Sequence, residues 1–147
     1  MATGSHEHTL EMTRVVPAAR STVFAAFVDS GELMRWWGPK GYTARTLEFD
    51  ARVGGGFRIG IQPAEGDLFY LTGEFREIGP PVHLAYTFSY EDPDPDDVET
   101  LVSLSFRDLG DSTEVAFMQG PFKTQARRAL HEDGWTDSFD KLERLFS

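Results

Sequence analysis

KTQARRALHEDGWTDSFDKLERLF, Lys123 to Phe146, is the stretch on which the architecture turns. Its apolar positions recur at helical spacing: Ala126, Leu130, Trp135, Leu142 and Leu145, with Phe139 and Phe146 beside them. Glu132, Asp133, Asp137, Asp140 and Glu143 supply a solvating polar side. The spacing predicts one uninterrupted helix of about 35 Å, with a wide apolar stripe rather than a coiled-coil seam. A helix of that length needs a broad apolar surface to lie on.

Upstream the period is mostly that of strands. Runs at Ala44 to Ala51, around Phe57, Ile59 and Ile61, at Leu68 to Ile78, Leu84 to Tyr90, Val98 to Arg107 and Thr113 to Gln119 are separated by turn signals such as Pro80-Pro81 and Leu109-Gly110-Asp111-Ser112. Gly54, Gly55 and Gly56 lead into a strand and lack a following Gly-Lys-Ser or Gly-Lys-Thr, so they read as a bend or bulge rather than a phosphate loop. Short connections imply an antiparallel sheet with mostly sequential neighbours. Ahead of these runs come a first strand, Leu10 to Val16, and a helix, Ala18 to Val28, with Pro17 near its start and Val23, Phe24, Phe27 and Val28 as its buried stripe. Asp29-Ser30-Gly31 breaks that helix, and Glu32 to Trp37 adds a turn or two before Gly38-Pro39 stops it. The predicted fold is α+β: a curved antiparallel sheet of six or seven strands around a long C-terminal helix, with two short helices after the first strand. If the sheet curls around the helix without full contact, a hollow lies between them. Residues 1–9 are expected to be flexible and 10–147 to form a single domain.

Composition narrows the functions. At 147 residues the chain is long enough to bury a core, and twelve Phe, four Tyr and three Trp give it aromatic bulk enough to line a pocket as well. Without cysteine, thiol nucleophiles, disulfides, Fe–S clusters and Cys-based zinc sites are excluded. A net charge of −10 argues against a nucleic-acid surface or an anionic bilayer as partner. Six of the nine residues in Glu91 to Glu99, EDPDPDDVE, are acidic, which predicts a solvated turn; the spacing is not that of a calcium-binding EF-hand. MATGSHEHTLEM does not read as a signal peptide and no apolar run reaches membrane-spanning length, so a soluble cytoplasmic protein is expected, as monomer or homodimer and without membrane insertion.

Four segments carry a family resemblance. PAARSTVFAAFVDSGELMRWWGP (Pro17 to Pro39), LEFDARVGGGFRI (Leu47 to Ile59), GEFREIGPPVHLAYTFSY (Gly73 to Tyr90) and HEDGWTDSFDKLERLF (His131 to Phe146) follow one another in order over almost the whole chain. Together they resemble the START-like, or helix-grip (SRPBCC, Bet v 1-like), superfamily, and within it the branch of activator of Hsp90 ATPase homologue 1-like proteins. The resemblance implies the helix-grip fold and a pocket between the long helix and the sheet. The superfamily includes lipid carriers, hormone receptors, aromatase/cyclase domains and co-chaperone domains, so function must be argued from the site.

The candidate ligand-binding residues are Trp36, Trp37, Phe75, Tyr86, Phe88, Tyr90, Leu104, Phe117, Arg127, His131, Trp135 and Phe139. Adjacent Trp36 and Trp37 cannot share a helix face: one packs inward while the other is available at a cavity mouth. Gly134, inside a helix, points to close approach by another segment or a ligand, and Trp135 either packs on the sheet or lines the pocket. His131 lies one turn before Trp135, and Arg127 one turn earlier; together they could hold a carboxylate or phenolate, or His131 could act as a base. The alternative is a partly exposed helix histidine. His6 and His8 fall in the N-terminal segment and His83 at a strand start on the surface. Alternation places Tyr86, Phe88 and Tyr90 on one face, as it does Val102, Leu104 and Phe106, and Leu71, Gly73 and Phe75. Glu48 and Asp50 share a strand face and become functional candidates if that face points inward. There is no G-x-S-x-G, no H-E-x-x-H and no metal-spaced histidine pair, so no catalytic residue, metal or cofactor is assigned. The reading is a domain that binds an apolar, aromatic or lipid-like small molecule in a cavity. The alternatives are a co-chaperone-like or regulatory domain with a protein partner, and a cyclase- or hydrolase-type enzyme using His131 or a pocket acid.

Overall fold

The computed structural model describes residues 8–147. Its elements run β1 (Leu10–Val16), α1 (Arg20–Val28), α2 (Ser30–Leu33), β2 (Tyr42–Phe49), β3 (Gly56–Pro63), β4 (Phe69–Gly79), β5 (His83–Tyr90), β6 (Thr100–Asp108), β7 (Thr113–Gly120) and α3 (Gln125–Leu145). The strands form one seven-stranded sheet in the order β1-β7-β6-β5-β4-β3-β2, antiparallel at every pairing. β2 to β7 are sequential neighbours, and β1 closes the other edge beside β7.

Side-chain alternation decides which face α3 covers. On β6, Thr100, Val102, Leu104 and Phe106 are buried, and on β7 so are Thr113, Val115, Phe117 and Gln119. The register aligns the rows, with Leu104 opposite Phe117, Val102 opposite Tyr86, and Phe75 opposite Tyr86 from the other side. β-Bulges interrupt the register between Thr46 and Glu48 and between Phe75 and Glu77, and bulges bend and twist the strands that carry them. Gly73 is needed where the sheet is tightest: a Cβ there would meet the Thr87 carbonyl oxygen at 2.0 Å and the Phe57 ring at 2.3 Å.

The helices differ from their sequence pattern in instructive ways. Asp29 alone separates α1 from α2; it is extended (φ −108°, ψ 121°) and its carboxylate accepts the Glu32 N–H at 3.0 Å, so Ser30 and Gly31 belong to the second helix. Thr124 is extended and caps α3, accepting the Arg127 N–H at 3.1 Å, so the helix starts at Gln125. Only Trp135, Ser138, Phe139 and Leu142 of α3 are buried. Ala126 is exposed and Leu130 is 57% exposed, so the wide stripe expected of this helix narrows to its second half. There it grips β7 and β1: Phe117 lies 4.6 Å from Trp135 and 5.7 Å from Phe139, ring centre to ring centre, and Arg14 on β1 pairs with Asp140 and Glu143. In the first half of α3 no residue before Trp135 is fully buried, though His131 reaches the β5 rings Phe88 and Tyr90. His8 and Thr9 run beside the end of β7, where the Phe122 N–H donates to the His8 carbonyl at 2.9 Å; His6 lies outside the described residues.

Candidate functional site

Between the first half of α3 and strands β3 to β5 lies a hollow of about 530 Å³, well within the range of small-molecule sites. Phe88 and Tyr90 of β5, Ile61 of β3 and Phe69 of β4 form its sheet wall; Trp37 closes one side, and His131 and Trp135 hang from the helix. Its rim is exposed at Lys40, Asp92, Leu130 and Asp133. A second pit of about 20 Å³, room for one water, is lined by Phe27, Phe57, Phe75 and Tyr86; it shares Trp37 and Phe88 with the larger hollow.

The two tryptophans divide as their adjacency requires. Trp36 is fully buried; its indole N–H donates to the Ala26 carbonyl at 3.0 Å, and its ring lies 4.7 Å from Phe27 and 6.3 Å from Phe139. Trp37 is half-buried and faces the hollow. The corner that carries it is tied to α3 by two bonds: the Gly38 N–H donates to Ser138 Oγ at 3.0 Å and the Lys40 N–H to Asp137 Oδ2 at 3.1 Å. Asp137 therefore anchors a loop rather than only solvating the helix. Gly134 faces this corner, and a Cβ there would meet Pro39 Cγ at 3.4 Å, ordinary van der Waals contact that alanine would tolerate.

His131 sits in a nest of rings, 5.5 Å from Phe88, 4.8 Å from Phe122 and 6.0 Å from Tyr90, centre to centre. Burial, assisted by the nearby Arg127 charge, lowers its pKa from 6.5 to about 4. The imidazole is thus neutral at physiological pH, and among the described residues no carboxylate orients it. Burial also pushes the Tyr90 hydroxyl above its ordinary value, with the Asp97 charge adding to the effect, so it stays a neutral phenol.

Arg127 does not sit as an open anion receptor. Its guanidinium contacts Asp94 at 2.8 Å, Asp96 at 3.0 Å and Asp97 at 3.4 Å. The hydrogen bond it donates to Asp96 is the main cause that raises its pKa, and the same bond lowers that of Asp96. Lys123 Nζ adds a bond to the Pro95 carbonyl at 2.9 Å. The acidic segment between β5 and β6 is therefore fastened to the start of α3 beside the hollow, where its composition alone predicts a freely solvated turn.

Beneath the hollow lies a buried polar chain. The Trp135 indole N–H donates to Gln119 Oε1 at 2.8 Å, and Gln119 Nε2 donates to Thr100 Oγ1 at 2.9 Å. Both Gln119 and Thr100 are almost wholly buried. Gln119 is absent from the sequence candidates; its signal is a polar side chain at an inward position of the alternation on β7.

The candidates thus separate into groups. Trp37, Phe88, Tyr90, Arg127, His131 and Trp135 line the large hollow. Phe75 and Tyr86 line the small pit with Phe88. Trp36, Leu104, Phe117 and Phe139 line neither and are core residues. Glu48 and Asp50 are exposed, and Asp50 pairs with Arg52 at 2.7 Å, so the inward face that would make them candidates is not theirs; a bulge after Thr46 shifts the phase of β2 before Glu48. His83 is exposed at its strand start, 3.7 Å from Glu77. No group of His, Cys, Asp or Glu among the described residues is placed to hold a metal ion.

A seven-stranded sheet gripping a C-terminal helix over an aromatic hollow is the helix-grip arrangement. Residues 17–147 match the family described as Activator of Hsp90 ATPase homolog 1-like protein. The chain belongs to that family. Solved structures similar to this Activator of Hsp90 ATPase homolog 1-like chain include a Chromobacterium violaceum protein, 25% identical, with 95% of this chain and 96% of that one covered and a TM-score of 0.87. An Arthrobacter aurescens protein is 19% identical, with coverage of 96% and 87% and a TM-score of 0.86. The AHSA1 protein of Silicibacter pomeroyi is 24% identical, with coverage of 92% and 95% and a TM-score of 0.81. No curated protein matches the chain. In this chain an aromatic hollow lies between the helix and the sheet of that fold, and no helix among the described residues is long and apolar enough to cross a membrane.

Proposed function

We propose that the protein binds a small apolar or aromatic molecule in the hollow between α3 and the sheet. One observation carries the reading: about 530 Å³ of space is left beside Trp37, Phe88, Tyr90 and Trp135. Burying an apolar ligand against these rings supplies the driving force at roughly 25 cal/mol per Å². Neutral His131 and the Tyr90 hydroxyl offer hydrogen bonds to a polar atom without charge. Catalysis by His131 is the weaker reading, because burial keeps it a feeble base and no described residue stands beside it as an orienting partner.

The test is fluorescence titration with N-phenyl-1-naphthylamine, a neutral apolar probe, against the folded protein. Saturable enhancement is expected, weakened about tenfold or more by Trp37→Ala and unchanged by Leu109→Ala in the exposed turn between β6 and β7. No enhancement by the folded protein, or enhancement indifferent to Trp37→Ala, would remove the hollow as a binding site.

A further inference from the structure

We infer that the ligand carries a positive charge: an organic ammonium ion on an apolar or aromatic body. This rests on the binding reading above and adds to it the ligand's charge. Two independent features of the hollow converge. The first is its aromatic lining, in which Trp37, Tyr42, Phe88, Tyr90 and Trp135 surround the space from β2, β5, α3 and the segment after α2. Ring faces attract cations, most strongly where water is excluded, and cages of such rings recognise alkylammonium groups.

The second feature is charge. Five carboxylates line the hollow, at Asp92, Asp94, Asp97, Asp133 and Asp137, against two cations, Lys40 and Arg127. Arg127 is held by Asp94 and Asp97, and by Asp96 as well. Its charge is thus more than matched before any ligand enters, and a carboxylate or phenolate ligand would have to compete with three resident carboxylates. Asp92 and Asp133 stand on opposite sides of the mouth, one after β5 and one on α3, and neither forms an ion pair with a described residue. Such a rim concentrates cations and repels anions within a Debye length. The pocket expected from residue spacing alone, with Arg127 and His131 gripping an anion, is therefore reversed in sign.

Three naphthalene congeners of nearly equal size separate charge from shape: 1-naphthylmethylammonium, 1-naphthylmethanol and 1-naphthoate. Calorimetric titration at low salt is expected to give the ammonium congener at least about tenfold tighter binding than the carboxylate, with the alcohol between them. The preference should shrink several-fold at about 0.5 M salt and in the Asp92→Asn/Asp133→Asn double variant, which leaves every described ion pair in place. If N-phenyl-1-naphthylamine binds but the ammonium congener binds no tighter than the carboxylate, the charge inference fails and the hollow stands. If neither that probe nor any congener binds the folded protein, the binding reading fails and this inference with it.

Discussion

Replacing Trp135 with phenylalanine should destabilise the protein more than the change in ring size explains. The substitution removes the indole N–H that bonds Gln119 Oε1 at 2.8 Å, and Gln119 is fully buried. A buried acceptor left unsatisfied costs about 1–3 kcal/mol. The smaller ring leaves a void worth about 1 kcal/mol at roughly 24 cal/mol per Å³. Together these amount to about 2–4 kcal/mol. At roughly 2.1 cal/mol/K per residue of unfolding entropy, that corresponds to a Tm drop of about 6–13 °C for a chain of this length. Urea unfolding of Trp135→Phe, Gln119→Leu and the double variant, all without ligand, isolates the bond. Gln119→Leu alone strands the indole N–H, whereas the double variant has neither the indole N–H nor the carbonyl. The double variant should therefore cost about 1–2 kcal/mol less than the two single changes added together. Additivity within about 0.5 kcal/mol would refute the claim that this bond fastens α3 to the sheet.

Other consequences are as direct. Gly73→Ala should cost about 3 kcal/mol or more in urea unfolding, since the new methyl overlaps the Thr87 carbonyl and the Phe57 ring. Gly134→Ala should instead be neutral or stabilising by up to about 1 kcal/mol, because helix propensity improves and Pro39 leaves room at 3.4 Å. For His131 the folded pKa of about 4 lies below its ordinary 6.5, so the unfolded chain takes up the proton first. Stability should fall as pH drops from about 6.5 to about 4, by up to about 3 kcal/mol, and His131→Gln should flatten that part of the pH–stability curve. Arg127→Met should raise amide exchange across residues 91–99 by about tenfold or more and lower Tm by several degrees, because the Asp97 carboxylate, 9% exposed, loses its cation, while the exposed Asp94 and Asp96 contribute little.

Local pattern carried the fold a long way. Alternation in β6 and β7 is strict, so their inward rows could be read directly, whereas β5 is buried continuously from Leu84 to Phe88; each turn signal fell between paired strands. What stayed illegible depended on contacts distant in sequence. Helical spacing cannot tell Leu130 from Leu142; the difference arises because the first half of α3 overhangs the hollow. The composition of residues 91–99 describes a solvated turn, yet Arg127, some thirty residues away, fastens it down. The bulge after Thr46 decides which way Glu48 faces, and sequence alternation could not locate it, as a shift of one residue exchanges the faces of a strand. Arg127 and His131 were legible as neighbours on the helix, but their chemistry was not: one is neutralised by a loop and the other kept uncharged by rings.

The most direct test of the central claim is native mass spectrometry of the protein purified from its own host, followed by a crystal structure of the same sample. The account predicts a retained small-molecule mass, with density in the hollow against Trp37, Tyr90 and His131. A protein that keeps no mass, together with a crystal structure in which side chains fill the space between α3 and β5, would contradict it.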